Sequence, residues 1–273
     1  MSFPFAADLF AGQTALVTGG GTGLGRAVAE CLARAGADLL LAARQVERLE
    51  AAAREIRTAT GRRVETAFVN IRERAAVEAL EARARELFPR IDVLVNNAGG
   101  QFAQPARDFR PKGWHAVVDT NLTGTWNMVQ VFGTRMLEGE GGAITNVIAV
   151  VGRGFPGLAH TAAARAGVLE LTRTLAYEWG PKVRLNCVAP GPVETEGFRG
   201  AYDPQIAEVF EGIPLARFGT REEVANAVAF ISSRAASYVT GEVLNVAGGQ
   251  QCYGRNQALF DAQLGRAPQL GRK

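Results

Sequence analysis

Residues 14–36 read TALVTGGGTGLGRAVAECLARAG, and this stretch decides the fold. The apolar run TALVT precedes a turn in which five of seven residues, from Gly19 to Gly25, are glycine, and a helical pattern follows. Glycine lets the backbone turn tightly and lets its N–H groups approach a ligand. A helix that begins in such a turn directs its first N–H groups at a phosphate. The stretch therefore predicts a strand, a phosphate-binding turn and a helix.

The rest of the chain continues the alternation of strand and helix. Short runs rich in apolar residues predict strands at 14–18, 38–42, 64–69, 91–96, 142–148, 183–188 and 243–246. Longer periodic stretches between them predict helices that include 46–57, 72–88, 114–137, 161–179 and 222–232. This alternation is typical of an α/β protein with a parallel sheet. We expect a single Rossmann-type, doubly wound parallel sheet of about seven strands with helices on both faces, spanning residues 1–249, and a C-terminal tail at 250–273.

Composition and charge are those of an ordinary soluble globular protein and argue against several other classes. The 273 residues are 47% hydrophobic and 21% charged, with a net charge of +3. Because there are only two histidines and three widely spaced cysteines, we expect no metal site and reduced thiols. We expect no nucleic-acid partner, since no basic stripe interleaved with aromatic residues occurs. Without an apolar run of transmembrane length or a signal-peptide pattern, we expect no membrane association and a cytoplasmic location.

The end of the second predicted strand indicates which dinucleotide binds. An NAD site places an acidic residue there to bind the ribose hydroxyls. This chain reads LLLAAR at 39–44, so the strand ends without an acid and Arg44 follows it. A guanidinium pairs well with a phosphate, although a solvated arginine would look the same in the sequence. The pattern predicts NADPH as the cofactor.

These motifs together resemble the short-chain dehydrogenase/reductase family over about residues 8–250. The resemblance rests on T-G-x-x-x-G-x-G at 18–25, on N-N-A-G at 96–99 and on P-G at 190–191. It implies cofactor contacts at the glycine-rich turn, at the adenine end, at the N-N-A-G turn and around the P-G turn, where Thr195 meets the nicotinamide. The implied residues are Gly19, Gly21, Thr22, Gly23, Leu24, Arg44, Asn70, Ile71, Asn97, Ala98, Gly99, Arg165, Pro190, Gly191, Val193 and Thr195.

The chain departs from the family at its catalytic serine, tyrosine and lysine. Ala149 stands at the serine position, Thr161 at the tyrosine position and Arg165 at the lysine position. Asn121 matches the helix asparagine that supports proton transfer. Loop length before the helix varies, so His160 is the alternative to Thr161. We name Asn121, His160, Thr161 and Arg165 as candidate catalytic residues. Packing for His160, and helix capping for either residue, are the competing interpretations.

A narrower resemblance points to C=C reduction. The stretches GGQF at 99–102, KGWHAV at 112–117 and HTAAARAGV at 160–168 resemble peroxisomal trans-2-enoyl-CoA reductase. The related 2,4-dienoyl-CoA reductases also lack the usual Tyr-x-x-x-Lys. Ketone reduction generates an alkoxide that needs a positioned acid, whereas hydride addition to an enoyl thioester generates a delocalised enolate. Loss of the tyrosine therefore favours reduction of an enoyl-CoA or dienoyl-CoA thioester.

Two other functions fit the same sequence. One is an atypical reductase of an imine or of an enone without CoA, and the other is a nucleotide-binding pseudoenzyme that senses or assembles. The family resemblance implies a homotetramer, built in part from the helices at 114–137 and 161–179. We also expect residues 194–213 to form a substrate lid, with Phe198, Tyr202 and Phe210 facing an acyl pocket.

Overall fold

The strands and helices alternate along the chain of the computed structural model, which describes residues 3–152, 154–195 and 213–252. Its seven strands are β1 (Thr14–Thr18), β2 (Asp38–Ala43), β3 (Val64–Phe68), β4 (Val93–Asn96), β5 (Gly142–Val147), β6 (Val183–Pro190) and β7 (Val243–Val246). The longer helices are α1 (Gly23–Arg34), α2 (Val46–Thr60), α3 (Arg74–Leu87), α4 (Pro111–Val118), α5 (Gly124–Glu138), α6 (Ala159–Trp179) and α7 (Arg221–Ser232). The predicted seven-stranded α/β fold is confirmed.

The sheet is entirely parallel, in the order β3-β2-β1-β4-β5-β6-β7. The chain first builds outward from β1 to β3 and then crosses back to place β4 beside β1. At such a reversal the turns after the two central strands diverge to opposite faces, which opens a crevice at the carboxyl edge of the sheet. The fold thus places the turn after β1 and the turn after β4 next to each other.

The core has two main layers, one on each face of the sheet. Successive residues of a strand point to opposite faces, and β2 shows this directly, since Leu39 and Leu41 pack with α1, α2 and α7 while Leu40 packs with α3, α5 and α6. All three leucines are fully buried. Strands covered on both faces have to be apolar throughout, which explains the continuous LLLA run in β2.

Most predicted boundaries are within two residues of the observed ones, and the predicted helix at 114–137 is helical throughout but contains a π-helical segment that the sequence pattern did not predict. Helix α4 begins earlier, at Pro111, and a π-helical segment, Asp119–Thr123, joins it to α5. Such single π-helical turns inside an α-helix are rare, so a reading of helical periodicity does not anticipate one. Helix α6 begins at Ala159, so Thr161 is inside the helix and is not its N-cap.

The predicted lid, its three aromatic residues and the predicted tail lie wholly or largely outside the described residues. Most of the lid falls at 196–212, which includes Phe198, Tyr202 and Phe210, and most of the tail falls at 253–273. The division of the chain at residue 249 stays a prediction. Within the described ranges, no helix is both long enough and apolar enough to cross a membrane.

The entry into α1 depends on the absence of a side chain at Gly25. A Cβ atom at this position would lie 2.2 Å from the carbonyl oxygen of Gly19 and 2.8 Å from its carbonyl carbon. The close approach is between the backbone at Gly25 and the backbone at Gly19, and moving either one would distort the turn. Helix α1 can therefore pack against its own turn only with glycine at this position.

We expect Gly25→Ala to lower the free energy of unfolding by about 1–3 kcal/mol, the usual cost of overpacking. The measurement is urea unfolding followed by circular dichroism. Gly100→Ala is the matched control, because a Cβ there meets no atom within 4 Å. Equal unfolding midpoints for the two variants would contradict the close-approach argument.

Candidate functional site

The glycine-rich turn presents free backbone donors at the carboxyl edge of the sheet. Thr22 is the N-cap of α1, but its side chain caps no N–H group, and the first turn of the helix contains no acidic residue. The first N–H groups of a helix have no partner within the helix, and they carry its positive dipole end. The turn that contains Gly19, Gly21, Thr22, Gly23 and Leu24 therefore suits a pyrophosphate.

The turn after β4 is bound to the end of β1. The backbone N–H groups of Asn97 and Ala98 both donate to the Thr18 hydroxyl at 3.0 Å, and the Asn97 amide donates to the Thr18 carbonyl at 3.0 Å. A Cβ on Gly19 would lie 2.9 Å from the Asn97 amide nitrogen. The two turns that line the crevice are thus held at a fixed separation.

Arg44 is available to a ligand. It follows the last residue of β2, its side chain is exposed, and among the described residues it makes no hydrogen bond or ion pair. The nearby Asn70–Ile71 segment is bound to α5, because the Asn127 side-chain amide donates to the Ile71 carbonyl at 2.9 Å. Sequence reasoning missed Asn127, whose only signal is that it is a polar residue on an otherwise buried helix face.

The segment after β6 is anchored on β7. The Gly191 N–H donates to the Val246 carbonyl at 2.9 Å, and a Cβ on Gly191 would lie 2.7 Å from the Cα of Ala247. Val193 pairs with Gly219, and its side chain packs into the core. Pro190 ends β6, and Thr195 is the last residue of the described range 154–195.

Asn121 connects three segments of the site. It lies in the π-helical segment and is fully buried. Its Oδ1 accepts the Gly100 N–H at 3.0 Å, and its Nδ2 donates to the Gly100 carbonyl at 2.9 Å and to the Thr161 Oγ1 at 3.1 Å. The wider turn places this amide between the loop after β4 and the first turn of α6.

Arg165 lies one helical turn after Thr161. Its Nη1 donates to the Val147 carbonyl at 2.7 Å, and a Cβ on Gly99 would lie 2.5 Å from its Nη2. The guanidinium is only partly exposed, and burial lowers the pKa of Arg165 to about 10, so it is still cationic at neutral pH. It forms no ion pair with any carboxylate in the described part of the chain. The structure thus brings a cation, a hydroxyl and an amide together.

His160 lies beside this cluster with its imidazole inside the protein. Its Nδ1 accepts the Thr161 backbone N–H at 2.7 Å, while its Nε2 is buried without a hydrogen-bond partner. Burial lowers the pKa of His160 below the ordinary value, opposed by the carbonyls of Leu158 and Phe102. The imidazole is therefore neutral at pH 7.

Ala149, the cysteines and the possible metal-binding side chains were also considered in the sequence analysis, and their positions are as follows. Ala149 follows β5 and offers no side-chain donor. Cys31 and Cys187 are buried free thiols and Cys252 is an exposed one. No group of three or more histidine, cysteine, aspartate or glutamate side chains in the described ranges is arranged to hold a metal ion.

Comparison with known proteins agrees with this architecture. Residues 19–251 match a family model described as enoyl-(acyl carrier protein) reductase. A peroxisomal 2,4-dienoyl-CoA reductase of Danio rerio is 40% identical over 250 residues, which cover 90% of this chain and 83% of that protein. The 3-oxoacyl-(acyl-carrier-protein) reductase FabG of Chlamydia muridarum is 36% identical, over 89% of this chain and 98% of that protein.

The solved structure of a levodione reductase superposes with a TM-score of 0.86 at 35% identity, covering 90% of this chain and all of that one. The matches to the family model and to these relatives extend over most of the chain and include the crevice and the cluster around Asn121. This protein belongs to the short-chain dehydrogenase/reductase family of oxidoreductases.

Proposed function

We propose that this protein is an NADPH-dependent reductase of a conjugated C=C bond in an enoyl-CoA or dienoyl-CoA thioester. The cluster of Asn121, Thr161 and Arg165 carries the proposal, because it offers a cation without a carboxylate partner where ketone reductases of the family use tyrosine and lysine. The Danio rerio relative, named as a 2,4-dienoyl-CoA reductase, supports the same class of substrate.

The crevice fits NADPH. The free N–H groups at the start of α1 suit the pyrophosphate, and unpaired Arg44 suits a phosphate on the adenosine ribose. We propose further contacts from Asn70, Ile71, Asn97, Ala98, Gly99, Pro190, Gly191, Val193, Thr195 and Arg165. When bound, the cofactor supplies the hydride.

The residues of the cluster stabilise the charge that develops on the substrate. When a hydride adds to Cβ of an enoyl thioester, the Cα=Cβ π bond breaks and an enolate forms, with negative charge shared between Cα and the thioester oxygen. A preorganised cation stabilises such an oxyanion without having to give up a proton. Arg165 supplies the cation, and the buried Thr161 hydroxyl, which accepts a hydrogen bond from Asn121, supports the turn of α6 that precedes it. Water is sufficient to protonate Cα afterwards.

Carbonyl reduction, suggested by the relative named FabG, is the main rival. An alkoxide needs an acid in position as it forms. The tyrosine position is Thr161, and the tyrosine farther along α6, Tyr177, is 92% exposed and about 24 Å away at 1.5 Å per residue. An arginine donates hydrogen bonds but does not give up its proton in a catalytic cycle. The cluster therefore favours an enolate over an alkoxide.

We also propose a homotetramer, which the family resemblance implies, and a cytoplasmic location. Trp126 on α5 and Tyr177 on α6 are exposed aromatic residues on the helices expected to form the interface. Large exposed apolar side chains on neighbouring helices are typical of a subunit interface.

The proposal is tested by following NADPH oxidation with four acceptors: crotonyl-CoA, a 2,4-dienoyl-CoA, a cyclic imine and a 3-oxoacyl thioester. We expect turnover with one or both of the unsaturated thioesters and at least about tenfold lower kcat/KM with the 3-oxoacyl thioester, since the latter needs an acid. Faster reduction of the 3-oxoacyl thioester would contradict the C=C assignment. Imine reduction alone would support the atypical reductase, and NADPH binding without turnover would support the pseudoenzyme.

Removal of the charge at Arg165 should impair the chemical step. We expect Arg165→Met to lower kcat by about 100- to 1,000-fold, the usual effect of losing one oxyanion donor. Arg165→Lys should lower kcat much less, because it keeps a cation at position 165. Both are measured at saturating NADPH, which separates kcat from weaker cofactor binding. If Met and Lys have the same effect, the charge is not what the reaction uses.

Arg44→Asp should reverse the cofactor preference. Hydrogen bonds to a charged group contribute about 1.5–3 kcal/mol, so NADPH should bind roughly 10- to 150-fold more weakly. NADH should bind more tightly, because the aspartate accepts from the ribose hydroxyls. Isothermal titration calorimetry gives both affinities. Arg54→Asp, an equal charge change on exposed α2, is the control. Equal NADPH and NADH affinities in the unsubstituted protein would contradict the role of Arg44.

A further inference from the structure

The segment after β3 is held against α5 at one residue, Ile71. Its side chain is buried in the apolar layer that α3, α5 and α6 form on one face of the sheet. A Cβ on Gly124, the first residue of α5, would lie 2.7 Å from Cγ1 of Ile71, so helix and side chain are in direct contact. Three residues later, the Asn127 amide donates to the Ile71 carbonyl at 2.9 Å. Helix α5 therefore fixes both the side chain and the carbonyl of Ile71.

Asn127 is a polar residue in an apolar layer. It is only 7% exposed, and its neighbour Met128 is fully buried. Burying an amide costs free energy unless the amide is hydrogen-bonded, whereas a leucine of similar size would fill this space without that cost. The amide of Asn127 therefore contributes less to packing than to the conformation of the segment that it binds, 56 positions away in the sequence.

Ile71 keeps one backbone donor without a partner. Within the described ranges, its N–H forms no hydrogen bond, although most backbone N–H groups in proteins are paired. The segment follows the carboxyl end of β3, at the same edge of the sheet as the crevice. It also begins beside Arg44, because the Val69 N–H donates to the Ala43 carbonyl at 3.0 Å. The free donor of Ile71 thus lies in the region proposed for the adenosine half of the cofactor.

Asn70 places an amide next to this donor. Its Nδ2 donates to Oε1 of Glu73 at 2.5 Å, and the Glu73 N–H donates to the Asn70 carbonyl at 2.9 Å, so neighbouring residues hold it in place. Adenine has a hydrogen-bond acceptor at N1 beside an amino donor at C6, which suits a backbone N–H next to an amide oxygen. Hypoxanthine has the reverse pattern, with a proton on N1 and an oxygen at C6. The segment therefore has the chemistry to distinguish the two bases.

On the basis of the NADPH site proposed above, we propose that Asn127 is a positioning residue for the adenine base of the cofactor. It holds the Ile71 carbonyl, and through it the Ile71 N–H that donates to N1 of the base, without touching the cofactor itself. The helical segment that contains Asn127 also contains Asn121, six residues earlier, which is about 9 Å along the axis at 1.5 Å per residue. One helical segment thus carries the amide of the reacting centre and the amide that positions the base.

Two dinucleotides that differ only in the base test the proposal without turnover. NADPH and its hypoxanthine analogue are titrated into the protein in a calorimeter. We expect the unsubstituted protein to bind NADPH at least about fivefold more tightly, because hypoxanthine leaves the Ile71 N–H unpaired. Asn127→Leu should weaken NADPH binding by at least about fivefold and reduce the preference for adenine to less than about twofold. Asn226→Leu is the matched control on α7, where the amide contacts the Cys31 thiol, and it should change neither constant.

A second variant and a kinetic measurement separate positioning from a general structural role. Asn127→Asp keeps the shape of the side chain and removes its N–H donor, so it should lose the preference for adenine even if Asn127→Leu does not fold. With any acceptor that the unsubstituted protein reduces, both variants should raise KM for NADPH and keep kcat at saturating NADPH within about twofold. Equal weakening of both dinucleotides, or a lower kcat with unchanged KM, would overturn the positioning role. Equal affinity of the unsubstituted protein for the two dinucleotides would overturn the contact between Ile71 and the base.

The binding measurements do not depend on which acceptor is reduced. A preference for NADPH over the hypoxanthine analogue that the Asn127 variants abolish, in a protein that reduces no unsaturated thioester, would refute the proposed function and leave the role of Asn127 in place. Failure of the unsubstituted protein to bind either dinucleotide would overturn both proposals.

Discussion

The hydrogen bonds between Thr18 and the Asn97–Ala98 turn are the interaction on which the site depends. The sheet order reverses between β1 and β4, and these bonds fix the two strand ends relative to each other. A buried hydroxyl that accepts two N–H groups leaves little freedom, since losing either bond exposes an unsatisfied backbone donor. With this separation fixed, the glycine turn faces one side of the crevice and the Asn121 cluster faces the other.

Asn121 fixes the separation of two further segments, at the reacting centre, again through hydrogen bonds. A primary amide offers both donors and an acceptor, and this one uses them on the Gly100 backbone and on Thr161. The π-helical segment makes this possible, because a wider turn shifts the side chain toward α6. Such turns occur frequently at functional sites, and here the turn brings a loop and a helix to one amide.

The arginine at position 165 distinguishes this chain from the general pattern of its family. Arginine and lysine both keep a positive charge near the crevice, but the planar guanidinium reaches two groups at once, here the Val147 carbonyl and the surface beside Gly99. An isolated cation with little exposure is costly. Its retention next to a hydroxyl is consistent with chemistry in which negative charge appears on the substrate.

The sequence alone determined the strands, the parallel α/β class, the phosphate-binding turn and the lack of an acid after β2. Each of these features depends on residues that are close together in the sequence, such as a run of apolar residues, a helical period or a group of glycines. The tertiary structure alone decided the contacts of Asn121 with Gly100 and Thr161, the Asn127 anchor and the packing of the Phe102, Phe109 and His160 rings. Asn127 meets Ile71 across 56 positions, and Asn121 meets Thr161 across 40. No local period records such pairs, because sheet order and helix packing bring them together.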